Sequence, residues 1–127
     1  ASKVIHITVT GAASDDDART VARSVGHSQL VKTAIYGGDA NWGRIVTAVG
    51  YSGAKFDPSK VSMKLCGIER FRLGCPVNED KEDALAELLK AKDVQVEIDL
   101  GGGSGFYNFQ ASDLGHEYVT LNSDYRS

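Results

Sequence analysis

A chain of 127 residues has room for one hydrophobic core and not two, and with 42% hydrophobic residues, 24% charged residues and two prolines it is neither disordered nor fibrous. A formal net charge of -3 and a pI near 5.5, with lysine and arginine unclustered, argue against a nucleic-acid partner. No apolar run approaches the roughly 20 residues of a membrane helix, so the expectation is a soluble, cytoplasmic chain with no membrane partner.

From Val4 to Thr10 the apolar Ile5, Ile7 and Val9 alternate with His6 and Thr8, the period of a strand with one buried face, and Gly11 closes it. Ser14 followed by Asp15, Asp16 and Asp17 predicts a helix start, since a serine cap and first-turn carboxylates satisfy free N–H groups. Ala18, Val21, Ala22 and Val25 line its face, and Gly26 ends it. Ser28 predicts the cap of a second helix through Leu30, Val31, Ala34 and Ile35, stopped by Gly37-Gly38. Trp42, Ile45, Val46 and Val49 repeat at helical spacing, which predicts a third helix from about Asn41 to Gly50 or Gly53.

Past the turn signal Asp57-Pro58, Val61, Met63 and Leu65 alternate as a strand, and Ile68 to Leu73 reads as its hairpin partner across Cys66-Gly67. Asn78 is expected to cap a fourth helix, acidic at its start, with Leu85, Leu88 and Leu89 facing inward and Lys90 and Lys92 late. Val94, Val96, Ile98 and Leu100 mark another strand, and 106–111 and 117–121 two more. This order predicts one α+β domain over 1–127, a mostly antiparallel sheet with helices packed on one face.

Few residues suggest chemistry by themselves. Gly101-Gly102-Gly103-Ser104-Gly105 lacks the ending and the following helix of a phosphate loop, and reads as a hairpin loop. The acidic run at Asp15 lacks the glycine and glutamate of a calcium loop, and His6, His27 and His116 have no ligands at zinc spacing, so no metal and no cofactor is expected. Cys66 and Cys75 are expected as free thiols. No Gly-x-Ser-x-Gly elbow is present, and Ala1 is not a nucleophile, so no catalytic residue is assigned within the chain. Ala1 in place of methionine suggests a piece of a longer protein.

Two segments stand out. In Gly37-Gly38-Asp39-Ala40-Asn41-Trp42-Gly43-Arg44 a helix start is crowded with Asn41, Trp42 and Arg44, which either orient a carboxylate or fix a capped helix with Trp42 in the core. The second is the polar terminus Asn122-Ser123-Asp124-Tyr125-Arg126-Ser127. The run from Leu30 to Ile45 closely resembles the ornithine acetyltransferase / N-acetylglutamate synthase family of arginine biosynthesis. So do Val9 to Ser14, Val49 to Gly53, Asp113-Leu114, Tyr118-Val119 and the terminus itself.

The resemblance implies an enzyme that cleaves itself into two chains and exposes a threonine. That threonine takes the acetyl group from N-acetylornithine and passes it to glutamate; some members also use acetyl-CoA. By this analogy the chain is the C-terminal domain of the second, β chain, and the threonine and the other reacting groups lie upstream. The partners implied are the α chain and the rest of the β chain in an α2β2 assembly. The location implied is the cytoplasm, or the mitochondrial matrix in a eukaryote. The family binds substrate through the asparagine and last hydroxyl of its ending, here Asn122 and Ser127, which would orient substrate rather than react. The sequence departs from the family at Phe109 to Ser112, where many members carry tryptophan and cysteine, and at Gly115-His116. The rival expectation is a non-catalytic ligand-binding or subunit-assembly module.

Overall fold

The computed structural model describes residues 3–113 and 117–119, the last two by backbone alone. The elements run β1 (Val4–Ala12), α1 (Asp15–Gly26), α2 (Gln29–Tyr36), α3 (Gly43–Gly50), a 3-10 turn (Pro58–Lys60), β2 (Ser62–Leu65), β3 (Ile68–Arg72), β4 (Cys75–Pro76), α4 (Glu82–Leu88), β5 (Asp93–Asp99), β6 (Gly105–Ser112) and β7 (Glu117–Val119). Among the described residues the strands form one sheet in the order β4-β3-β2-β5-β1-β6-β7. Only β1 and β5 run parallel; every other neighbouring pair is antiparallel.

The fold is α+β, with the helices on one face of the sheet. Ile5, Ile7 and Val9 of β1, Val94, Val96 and Ile98 of β5, and Met63 and Leu65 of β2 are at most 1% exposed and share one core with Val21, Val25, Ile35, Ile45 and Leu89 from the helical layer. Burying each such large side chain is worth about 1.5–3 kcal/mol. The alternate positions Asp93, Gln95, Glu97 and Asp99 face solvent, so the other face of β5 is polar. Helix α1 comes so close to β6 that a Cβ at Gly26 would run into the Phe109 ring.

Local chemistry sets the first helices as the sequence predicts. Ser14 Oγ accepts from the Asp17 amide at 3.1 Å, and Ser28 Oγ from the Val31 amide at 3.2 Å. Two adjacent left-handed residues, Cys66 and Gly67, make the tight turn between β2 and β3. A second such pair, Leu73 and Gly74, turns β3 into the short β4, a strand the pattern did not predict.

Three expectations are corrected. Helix α3 begins at Gly43, two residues later than expected, because Asp39 Oδ1 accepts from the Asn41 amide at 3.1 Å and folds 39–41 into a local turn. Helix α4 spans only Glu82–Leu88, and Asn78 does not cap it. Arg70 holds the chain off the helix instead, accepting the Val77 amide on its carbonyl at 3.0 Å and donating from NH1 to the Glu79 carbonyl at 2.8 Å. Asp80 Oδ1 then accepts from the Glu82 amide at 3.2 Å, and Leu88 is left 43% exposed rather than facing inward.

The glycine run is not a hairpin loop. Strands β5 and β6 both pair with β1, on opposite sides of it, so the connection must cross the end of β1. It does so at backbone contact: the Gly102 amide donates to the Gly11 carbonyl at 2.7 Å, and a Cβ on Gly103 would sit 2.5 Å from the Ala12 carbonyl oxygen. The register of β1 against β6 shifts between Val9 and Ala12, where this crossing occurs.

Candidate functional site

The loop from Gly37 to Trp42 carries α2 into α3. Gly38 takes a positive φ of 74°, and the Gly38 and Asp39 amides donate to the Ile35 and Ala34 carbonyls at 3.1 and 2.8 Å, closing the end of α2. Trp42 then opens α3 without a side-chain cap, and its carbonyl accepts from the Ile45 amide at 3.0 Å. Its indole lies half-buried against Phe71 of β3, with ring centroids 6.2 Å apart and planes tilted by 48°.

Of the residues singled out in this loop, Trp42 therefore joins the edge of the core, Asn41 is exposed, and Arg44 reaches back to donate from NH1 to the Leu30 carbonyl at 3.0 Å. The core reading of Trp42 holds, although the helix it opens has no side-chain cap. The tryptophan packs, and it also walls two grooves. One, of about 660 Å³, runs between residues 38–43 and Glu82, Asp83 and Ala86 of α4. The other, of about 460 Å³, lies between Trp42 and Arg70, Asn78, Glu79 and Leu85.

Arg70 was not singled out in the sequence. It is 4% exposed, one of two buried polar or charged residues among those described, and its Nε donates to the Glu69 carbonyl at 3.0 Å. Among the described residues its NH2 has no hydrogen-bond partner. The one signal that could have found it was an arginine next to Phe71 in a short strand whose side chains are half-buried or deeper up to Phe71.

Asn122 and Ser127 lie outside the described residues. The strand that precedes them, β7, is at the opposite end of the sheet from β4, five strand positions from β3, or about 24 Å at the usual ~4.8 Å spacing. Around the β6 and β7 end, His27 Nε2 stands 3.0 Å from Glu117 Oε1, and the Asp113 amide donates to the Lys3 carbonyl at 3.1 Å. The Lys3 ammonium donates to the Ile35 carbonyl at 3.1 Å and the Leu89 carbonyl at 2.5 Å, tying the ends of α2 and α4 together. Burial, with Asp113 and then Glu117 nearby, raises the Tyr36 phenol above its ordinary pKa; its hydroxyl is buried and has no hydrogen-bond partner among the described residues.

The glycine crossing offers little to an anion, because Asp15 Oδ1 already accepts from the Phe106 amide at 3.0 Å. Among the described residues no group of three or more His, Cys, Asp or Glu is placed to hold a metal ion, and no helix is long and apolar enough to cross a membrane. Cys66 and Cys75 are free thiols, and burial pushes the Cys66 thiol up.

Comparison with known proteins agrees with this arrangement along the whole chain. The chain is 58% identical over 127 residues to the arginine biosynthesis bifunctional protein ArgJ of Nitratidesulfovibrio vulgaris, covering all of this chain and 32% of that protein. It is 46% identical over 127 residues to the protein of the same name from Syntrophotalea carbinolica, again covering all of this chain and 32% of the relative. Against the mitochondrial ArgJ of Yarrowia lipolytica it is 44% identical over 134 aligned residues, all of this chain and 31% of the relative. The chain thus spans about a third of the length of these curated relatives. The crystal structure of the arginine biosynthesis bifunctional protein ArgJ from Bacillus halodurans superposes with a TM-score of 0.75 at 37% identity, covering 97% of this chain and 55% of that one. The ArgJ family model matches residues 1–127 without a break, and the chain belongs to the ArgJ family.

Proposed function

We propose that the chain is the C-terminal domain of the β chain of a glutamate N-acetyltransferase. The reaction moves acetyl from N2-acetyl-L-ornithine to L-glutamate through an acetyl-threonine intermediate. A threonine hydroxyl outside this chain attacks the acetyl carbonyl, the ornithine amine leaves with the proton, and the glutamate amine then takes the acetyl group and regenerates the hydroxyl. The observation that carries this reading is the family match along all 127 residues, with the Leu30–Ile45 motif and the Asn122–Ser127 ending both present.

In this reading Asn122 and Ser127 hold the amino-acid substrate. An amide both donates and accepts, and a terminal hydroxyl adapts to either role. Asn41, Trp42 and Arg44, the other residues expected near the site, shape the loop between α2 and α3 rather than react. The partners are the α chain and the remainder of the β chain in an α2β2 assembly, with acetyl-CoA a second donor in some members and no cofactor needed. The compartment is soluble: cytoplasm, or mitochondrial matrix in a eukaryote, as the name of the Yarrowia relative suggests.

Deleting the last six residues from the complete protein tests the site. A rise of at least tenfold in the KM for N-acetylornithine, or loss of turnover, is expected. Unchanged kinetics would remove Asn122 and Ser127 from the substrate site.

A further inference from the structure

The end of α1 touches the outermost pair of strands, β6 and β7, at two points. His27 closes the helix, its amide donating to the Arg23 carbonyl at 2.9 Å, and its ring meets Phe109 of β6 edge-on with centroids 5.6 Å apart. The glycine before it permits this approach, since a Cβ at Gly26 would stand 2.4 Å from the Phe109 ring. From there His27 Nε2 reaches β7, 3.0 and 3.1 Å from the two carboxylate oxygens of Glu117. Phe109 is the ladder partner of Val119, and Ala111 of Glu117, so one imidazole engages both strands of the pair.

Among the described residues β7 is three residues long, lies at the edge of the sheet and pairs with β6 alone. A strand that short, paired on one side, is a weak tie for the chain that follows it. His27 is the one ion-pair partner of Glu117 among those residues, and Lys32 of α2 and Arg23 of α1 add positive charge around the same carboxylate. Five residues, about 18 Å of fully extended chain, lead from Glu117 to Asn122. Over so short a tether a shift of β7 carries on into the segment beyond it.

We propose that His27 is a positioning residue: by holding Glu117 it fixes β7, and with it the direction in which the chain leaves toward Asn122 and Ser127 at the substrate. The inference rests on the acetyl-transfer reading for what that segment binds, and on the His27–Glu117 geometry for the hold itself. His27 acts through the strand and does not meet the substrate. Both side chains are 39% exposed, which limits the pair to about a fivefold effect. Losing the hold weakens substrate and transition state alike, so KM rises and kcat stays. A purely structural role behaves differently, because a partly unfolded variant has fewer working molecules, which lowers kcat at constant KM.

Two readouts on the complete protein test it: steady-state kinetics with N-acetylornithine, and amide hydrogen exchange of the peptide spanning 117–127. Glu117→Ala and His27→Ala are each expected to raise KM by about two- to fivefold with kcat unchanged, and to speed exchange by a similar factor. The double variant should be no worse than His27→Ala, since the contact is lost only once. His27→Gln, whose amide can donate to the carboxylate, should recover most of the loss. Unchanged KM and exchange, additive losses in the double variant, or a fall in kcat at constant KM overturns the proposal. Should His27→Ala fail to fold for want of its contact with Phe109, Glu117→Ala, which changes an exposed side chain, decides on the same terms. If the wild type transfers no acetyl group, the transfer reading fails, and exchange in the same variants still decides whether His27 holds the strand.

Discussion

His27 Nε2 lies 3.0 and 3.1 Å from the two carboxylate oxygens of Glu117, so the residue that closes α1 is joined to edge strand β7, 90 residues further along the chain. The same imidazole meets Phe109 of β6 edge-on at 5.6 Å. The hydrogen bond from His27, then the charges of His27, Lys32 and Arg23, hold the Glu117 carboxyl below its ordinary 4.5.

A carboxyl depressed on folding adds stability above its unfolded pKa and loses it as pH falls through the lower folded value. Both side chains are 39% exposed, so the pair is worth less than about 1 kcal/mol. Glu117→Gln should therefore lower the urea midpoint slightly at neutral pH, with the difference from wild type vanishing well below pH 4.5. A difference that persists at low pH would mean that packing, not charge, joins β7 to α1.

The Tyr36 hydroxyl is buried with no partner among the described residues, and its pKa is raised above 10.0 by burial and the nearby carboxylates. A phenol raised on folding gives stability that is present below pH 10 and fades as pH climbs through the folded value. Tyr36→Phe removes both the unsatisfied group and that alkaline loss. Denaturation at pH 7 should show the variant equal to wild type or more stable by up to about 1 kcal/mol. A loss of 2 kcal/mol or more, on the order of a broken buried hydrogen bond, would show that the hydroxyl has a partner.

Gly103 passes over Ala12 with no room for a side chain. Gly103→Ala should cost about 1–3 kcal/mol, the usual penalty of overpacking, since the obstructing atoms are backbone. Gly38→Ala meets no atom within 4 Å, so its cost should come only from the positive φ, roughly 1 kcal/mol. Thermal unfolding of the two variants should rank Gly103→Ala lower; the reverse order would place the crossing elsewhere.

Trp42 packs against Phe71 from a half-buried position. Trp42→Ala should destabilise by about 2–4 kcal/mol, and Trp42→Phe by appreciably less, because an aromatic ring still reaches β3. Equal losses would assign the effect to the indole N–H or to the groove.

Strands and caps were legible where the signal was local. The alternation in β1 and β5 and the serine caps of α1 and α2 depend on residues within one turn or one strand, and all four formed as expected. The start of α3 was misplaced by a local turn at Asp39, and the other misreadings came from contacts between different elements. Asn78 is a good cap by type, yet Arg70 on β3 fixes the chain there by its bonds to Val77 and Glu79. The glycine run looks like a hairpin until β1 is known to lie between the strands it joins. Arg70 went unread because its one local signal, a place beside Phe71 in a short strand, is weak. Trp42 was legible as a core residue from its helical spacing to Ile45 and Val49, but not as the wall of two grooves. The proposed role of Asn122 and Ser127 rests on family resemblance alone.

The most direct test of the central claim is to assay the complete protein for acetyl transfer from N-acetylornithine to glutamate, with the intact mass of its chains followed before glutamate is added. The account predicts self-cleavage, transfer, and a chain heavier by one acetyl group on a threonine upstream of this domain. Self-cleavage without transfer to glutamate would point to a different acyl acceptor. The absence of cleavage, adduct and transfer would contradict the account and leave a binding or assembly module.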